Sequence, residues 1–328
     1  MRRCLLTARV AGFALAQACA PWPGSPDPGA VVPGDGDGAD SAGADESAPP
    51  GDAAGVDCQD DATSVDPLRL GRNDTLEIAT WNLHNFPATT ATVTATAALV
   101  TRMQVDVVAI QEVADVQGFA SLVTALPAYR GVLSPDVYTP TSYQKTAFLW
   151  RAETLTLVGT ASLFQSDSDA FPRPPLQGTF DVRRCDGGTR RIVVINVHLK
   201  ASPGADNEAR RRSAIVKLKT YVDSLVAEGS TEVVIAGDFN DRVGDAAATN
   251  VFTALLDDPA HYTVTTTTLD DGLEYTYIPF ASFLDHLVVT AALGGFATQV
   301  VHLDLLVTDY RYVDVVSDHR SVVSVWPR

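Results

Sequence analysis

Glu232-Val-Val-Ile-Ala-Gly-Asp-Phe-Asn240 is the stretch around which the rest of the chain reads. Val233, Val234, Ile235 and Ala236 form a short unbroken apolar run, the pattern of a strand covered on both faces. Gly237 leaves room for a neighbouring backbone, and Asp238 and Asn240 then stand two residues apart. On an extended chain that spacing aims both side chains the same way. A carboxylate and an amide leaving a buried strand together are costly unless something binds them, and a divalent cation with a phosphate oxygen would satisfy both. Gly-Asp and Asp-x-Asn are also ordinary turn chemistry, so the stretch decides nothing alone.

The same arrangement recurs. A strand over 76–83 ends at Asn82, an apolar run over 105–110 stops at Gln111-Glu112, and the strong strand pattern of 190–200 ends with His198 and Lys200. Two closing strands, 287–290 and 321–326, instead begin after polar groups: Asp285 in one case, Asp318 and His319 in the other. If all six groups share one cleft, the first four strands run toward it and the last two away from it. That requires mixed sheets and excludes an all-parallel doubly wound one. Helical spacing is expected over 89–103, 118–126, 207–226 (Ile215, Leu218, Val222 and Leu225 on one side) and 245–256. Segments 147–150 and 155–158 read as adjacent strands, 166–177 as a loop, and 263–280 as a hairpin or loop.

The chain of 328 residues carries a net charge of −16. Residues 1–19 read as an export signal: Arg2, Arg3 and Arg9 precede a short apolar stretch and small residues. Ala16-Gln17-Ala18 fits an ordinary cleavage site. Ala16 to Cys19 also resembles a bacterial lipoprotein box, with Cys19 lipidated, although that box usually has Leu where Ala16 stands. Residues 20–72 are a Pro-, Gly-, Ala- and Asp-rich spacer, expected to be disordered; up to residue 71 it holds ten Asp and Glu46 against one basic residue, Arg69. Residues 73–328 are enough for one large core. They are mildly acidic, which counts against a charge-driven grip on nucleic acid. Cys58 and Cys185 remain after export, either bridged or as two free thiols.

Trp81-Asn82-Leu83, Gln111-Glu112-Val113, Asn196-Val197-His198-Leu199-Lys200, Gly237-Asp238-Phe239-Asn240, Leu284-Asp285-His286 and Ser317-Asp318-His319 together resemble the endonuclease/exonuclease/phosphatase superfamily. The resemblance implies an α/β fold: a four-layer α/β/β/α sandwich of two mixed β-sheets flanked by helices. It implies a metal-dependent phosphoester hydrolase with Mg²⁺, or Mn²⁺ or Ca²⁺, at Glu112, helped by Asn82 and Asp318. Asp285 and His319 would form an acid–histidine pair, His198 would donate to a phosphoryl oxygen beside Asn240, and Asp238 is the other candidate for activating water. Tyr143 stands where deoxyribonuclease-like members place an aromatic that touches DNA. Lys200 and Arg212 could reach substrate phosphates, or the Arg210–Arg212 cluster is a solvated helix face. His84, His261, His286 and His302 read as structural or exposed.

Two departures bear on substrate. Ala114 replaces an arginine that deoxyribonucleases put in the minor groove, and only Gln144 or Lys145 stands where they pair the first histidine with a glutamate. The expected function is an extracytoplasmic nuclease, monomeric, held at the cell envelope by a lipid on Cys19 or released to periplasm or medium. A sphingomyelinase-like phospholipase or a sugar-phosphate phosphatase is the alternative, and a non-catalytic surface-binding module the alternative of another class.

Overall fold

The computed structural model describes residues 58, 66–136, 144–270 and 272–328. The signal, Cys19, most of the spacer and Tyr143 lie outside them. The described chain runs β1 (Thr75–Phe86), α1 (Thr92–Met103), β2 (Val107–Val113), α2 (Val116–Thr124), β3 (Tyr129–Leu133), β4 (Lys145–Arg151), β5 (Leu155–Ser162) and β6 (Leu176–Arg183). It continues through β7 (Thr189–His198), α3 (Ala205–Ala227), β8 (Val233–Asp238), α4 (Thr253–Leu256), β9 (Tyr262–Val264) and β10 (Asp285–Thr290). It closes with β11 (Ala297–Val301), α5 (Leu303–Leu306), α6 (Tyr312–Val315) and β12 (Ser321–Pro327).

The strands form two mixed six-stranded sheets, ordered β11-β12-β1-β2-β4-β3 and β5-β6-β7-β8-β10-β9. Each has one parallel pair at its centre, β1 with β2 and β7 with β8, and antiparallel neighbours outside it. The expected strand directions are therefore met: β12 runs against β1, and β10 runs against β8.

Alternation along the strands builds the layers. On β1, Leu76 and Ile78 enter the core between the sheets while Ala79 and Trp81 pack outward under α1 and α2. On β7 and β8, Ile192, Val194, Val234 and Ala236 face the inter-sheet core, and Val193, Ile195, Val233 and Ile235 face α3 and α4. This is period-two geometry applied to strands covered on both sides. Helix α3 buries Ala214, Ile215, Leu218 and Val222 as one stripe. Among the described residues no helix is long and apolar enough to cross a membrane.

Several expectations change. Segments 147–150 and 155–158 are not adjacent: β4 and β5 lie in different sheets. Strands β3, β6 and β11 were not anticipated. In β6 the pattern is present, with Leu176, Phe180 and Val182 pointing into the inter-sheet core, but Gly178 interrupts it because the Phe180 and Phe148 rings fill its side-chain space. The helix expected over 245–256 shrinks to Thr253–Leu256. Asn250 donates to the carbonyls of Val243 and Asp245 and accepts from the Phe252 amide, so its side chain takes up backbone groups a helix would need. The packed domain also begins before residue 73, since Leu68 is fully buried beside α1.

Cys58 and Cys185 are bridged. The bridge joins the end of the spacer to the β6–β7 turn, next to the Asn73 carbonyl and Arg328. Reducing it, or making Cys185→Ser, is expected to lower the unfolding free energy by about 2–4 kcal/mol. A lower urea midpoint would show this, and an unchanged midpoint would refute it.

At the same end of the first sheet, Glu77 and Asp106 are buried side by side, with the Glu77 amide donating to Asp106 Oδ2 at 3.2 Å. Burial, then the Asp106 charge, raises the Glu77 pKa to about 9. The folded protein keeps that proton until about pH 9, whereas the unfolded chain releases it near 4.5, the ordinary value. The stability this group contributes is full below pH 4.5 and is lost as pH rises toward 9, at up to about 1.4 kcal/mol per pH unit. Glu77→Gln should therefore gain on the parent progressively between pH 5 and 8.5 in urea unfolding. Parallel pH profiles would show that the carboxyl is not held protonated.

Candidate active site

The alternation that fills the core also gathers the polar strand ends. Asn82 continues the inward series Leu76 and Ile78, His198 the series Ile192 and Val194, and Asp238 the series Val234 and Ala236. Asp285 precedes Leu287 and Val289 on the same face of β10. Register then aligns three of them in one row: His198 is opposite Asp238, and Asp238 is opposite Asp285. Gly237 makes the row possible, because a Cβ there would lie 2.0 Å from the Val197 carbonyl oxygen.

Glu112 breaks the pattern. By parity with Val108 and Ile110 it would face outward, but the register shifts between Ile110 and Val113, and Glu112 takes φ 63°. This irregularity turns its carboxylate to the cleft, as bulges next to functional sites do. His84, Asn85 and Asn240 also have positive φ around the same cleft. Such backbone persists only where the surroundings over-determine it.

Asn82, Glu112, His198 and Asp238 meet at one point. The Asn82 amide donates to Asp238 Oδ2 at 2.9 Å and to Glu112 Oε1 at 3.3 Å. His198 Nε2 lies 3.6 Å from Asp238 and 3.8 Å from Glu112. Opposite, His319 Nδ1 is 2.7 Å from Asp285 Oδ2, and Asp318 Oδ1 stands between His84 Nδ1 at 3.0 Å and His319 Nε2 at 3.9 Å. Asn240 donates to the Leu199 carbonyl at 3.3 Å. Glu112, His198, Asp238, Asn240, Asp318 and His319 line one cleft of about 730 Å³, together with His84, Tyr277, Phe280 and Arg211.

The two imidazoles differ. Burial disfavours a charge on His319, but Asp285, Asp238 and Asp318 outweigh it and raise its pKa to about 10. Burial, reinforced by Arg173 and His319, pushes His198 well below its ordinary value, and its Nδ1 is buried without a hydrogen-bond partner. Gln144, the nearest polar residue at the position of the absent partner acid, bonds instead to Asn85 at 2.8 Å and to Arg173. Burial and then Asp285 raise Asp238 to about 7.

These groups fit a hard divalent cation. Two carboxylates, Glu112 and Asp238, converge with only a neutral amide and a neutral imidazole between them, and the buried Asp285 Oδ1 has no partner. Oxygen donors of this kind suit Mg²⁺, Mn²⁺ or Ca²⁺. Asp238, Asp285 and His319 also place ligand-type atoms within 4.8 Å of one another. His319 is the weak member of that trio, because its ring is tied to Asp285 as a cation. Asn82 presents amide hydrogens to the carboxylates and so orients them.

Other expected residues fall elsewhere. Arg212 donates to the Thr249 carbonyl on the surface, outside the cleft lining, and Lys200 Nζ donates to the Ala201 carbonyl. The neighbour Arg211 is the buried member of that cluster. It pairs with Asp241 at 2.7 Å and caps the carbonyls of Lys200 and Ser202, each at 2.9 Å. His286, expected to be structural, lies within 2.9 Å of the Asp241 carbonyl and 2.6 Å of Thr266. These contacts clamp the segment that follows His198 at the end of β7 and the loop after β8 that carries Asn240. His84 is in the cleft, contrary to expectation. Arg173, 3.4 Å from the Leu199 carbonyl, had no signal beyond a lone arginine between prolines. The pair Gln111–Asn196, bonded at 2.8 Å across the two sheets directly beneath the site, was also missed.

A sequence profile described as the Endonuclease/Exonuclease/phosphatase family matches residues 79–319. A deoxyribonuclease of Thioalkalivibrio sp. (strain K90mix) is 32% identical over 145 residues, 42% of this chain and 38% of that relative's length. Among solved structures, humanized D. rerio TDP2 aligns with a TM-score of 0.57 and 15% identity over 78% of this chain and all of the other. The human Nocturnin catalytic domain with bound sulfate gives 0.56 and 17% over 77% and 95%. An endonuclease/exonuclease/phosphatase from Bacteroides vulgatus gives 0.57 and 15% over 77% and 99%. These likenesses bear on the fold.

Removing Arg211 tests the clamp. Arg211→Met leaves the buried Asp241 with the Arg242 amide but without its cation, and should cost roughly 3–5 kcal/mol in denaturant unfolding. Arg211→Met with Asp241→Asn should recover part of it. A cost below about 1 kcal/mol for the single change would mean the pair clamps nothing.

Proposed function

The chain belongs to the endonuclease/exonuclease/phosphatase family, and from that premise we propose that it is a divalent-metal-dependent phosphodiesterase acting on nucleic acid. The observation that carries this reading is the single cleft in which Glu112, His198, Asp238, Asn240, Asp318 and His319 face one another, with Asn82 and Asp285 behind them. The partly matching deoxyribonuclease supports a nuclease over a phospholipase or a sugar-phosphate phosphatase.

Glu112, its carboxylate oriented by the Asn82 amide and facing Asp318 across the cleft, would hold the metal ion, which when bound would polarise a phosphoryl oxygen. Asp285 keeps His319 oriented and positively charged against the phosphate. His198 presents Nε2 to the same region and donates to a phosphoryl oxygen, with the Asn240 amide beside it. Asp238, in a row between His198 and Asp285, is placed to accept the proton of the attacking water. Fixed dipoles and charges of this kind act without reorganising during the reaction.

The enzyme is read as exported and lipid-anchored, on the box ending at Cys19 and the acidic spacer. The Cys58–Cys185 bridge supports an oxidising compartment.

The full chain, incubated with plasmid, single-stranded DNA, RNA, sphingomyelin and a nitrophenyl phosphodiester, is expected to cleave nucleic acid and to stop in EDTA. His319→Ala or Asp238→Ala should each lower turnover by at least about 10²-fold. Activity on sphingomyelin alone overturns the substrate, and activity indifferent to EDTA overturns the metal. A tenfold or smaller loss in both variants would show that the roles are misassigned.

A further inference from the structure

An exposed aromatic ring stands at the mouth of the cleft. Phe280 closes a 3-10 turn, Ile278–Phe280, and its side chain is 78% exposed although it lines the site. Its ring centroid lies 5.8 Å from that of Tyr277 with the planes tilted by 33°, and Tyr277 lies 4.9 Å from the His319 ring at 39°. Two rings, Tyr277 and then Phe280, therefore lead outward from the His319 imidazole.

The ledge is rigid. The Tyr277 amide donates to the Ser282 carbonyl at 2.8 Å, and Ala281 turns the chain back with φ 48°. The Ile278 amide donates to the Asp318 carbonyl at 2.9 Å, and the Arg320 amide to the Thr276 carbonyl at 2.7 Å. The hairpin is thus pinned to the segment that carries Asp318 and His319. A large ring held in water on a fixed hairpin gains nothing for folding, but it is pre-organised to cover the flat face of a ligand.

Charge points to the kind of ligand. Among the described residues, the two arginines lining the cleft, Arg211 and Arg242, are paired with Asp241 and Asp270, and Glu112, Glu208, Asp245 and Asp318 share that lining, so it offers no row of cations to follow a duplex backbone. Duplex affinity rests on such cations, and single strands use them too, but an unpaired base adds stacking on an uncovered π face that a duplex cannot offer. Bases inside a duplex have both faces covered.

Resting on the nuclease reading, we propose that Tyr277 and Phe280 form a binding site for an unpaired nucleobase next to the scissile phosphate. The enzyme then prefers single strands and frayed ends to intact duplex. A stacked base is worth roughly 5- to 150-fold in affinity.

The test uses the full chain, Phe280→Ala and Phe280→Trp. Binding of a single strand carrying 2-aminopurine is followed by fluorescence in EDTA. Cleavage of the same sequence as single strand and as duplex is followed with Mg²⁺. The parent should quench the fluorophore and cleave the single strand faster. Phe280→Ala should bind the single strand about tenfold more weakly and lose most of the single-strand preference, and Phe280→Trp should restore both. Unchanged binding and preference in Phe280→Ala overturns the inference and leaves the nuclease reading standing. So does a Phe280→Ala defect confined to phosphatidylglycerol vesicles, which would make the ring a lipid contact. A parent that cleaves no nucleic acid overturns both.

Discussion

Side chains on a strand return to the same face every second residue, and this constraint organises the site as well as the core. The positions that carry Leu76, Ile78, Val234 and Ala236 into the apolar space between the sheets carry Asp238 into the cleft, and Asn82 just behind its wall, further along. No separate scaffold is needed. The cleft is the end of the inter-sheet core where apolar side chains give way to acids, amides and imidazoles. Strand direction selects which end, since β1, β2, β7 and β8 arrive there while β10 and β12 depart.

Placing so many ionisable groups in a desolvated row is expensive, and the structure compensates with specific partners. Asn82 bridges two carboxylates, Asp285 neutralises His319, and Gln111 and Asn196 satisfy one another across the sheets. At the site, the buried Asp285 Oδ1, His198 Nδ1 and Asp318 Oδ1 are left without a hydrogen-bond partner. Native proteins keep such exceptions few, and these three border the cleft where substrate and cation would arrive.

Much of this was legible beforehand because buried strands announce themselves as apolar runs and their last residues are then conspicuous. Asn82, Glu112, His198 and Asp238 could be found that way, and the direction argument predicted mixed sheets. What was not legible depended on contacts between distant segments. Arg211 and Arg212 are indistinguishable in a basic helical run until packing buries one and exposes the other. Arg173 reaches the site from a loop with no periodicity, and His84 enters through a backbone turn with φ 45°. Strands β3 and β11 lie at or near sheet edges with partly exposed residues, so their hydrophobic pattern is diluted.

The bridge between Cys58 and Cys185 has a mechanical consequence. It sits beside Asn73 and Arg328, where β1 begins and β12 ends, so a whole strand length separates it from the cleft. Tension applied at Cys58 would pass through the bridge to Cys185 on the second sheet and, beside Arg328, to the end of β12 on the first, so both sheets would carry the load at their rear. The cleft, at the far end of both sheets, lies off the path of such a load and would keep its shape while the rear is pulled.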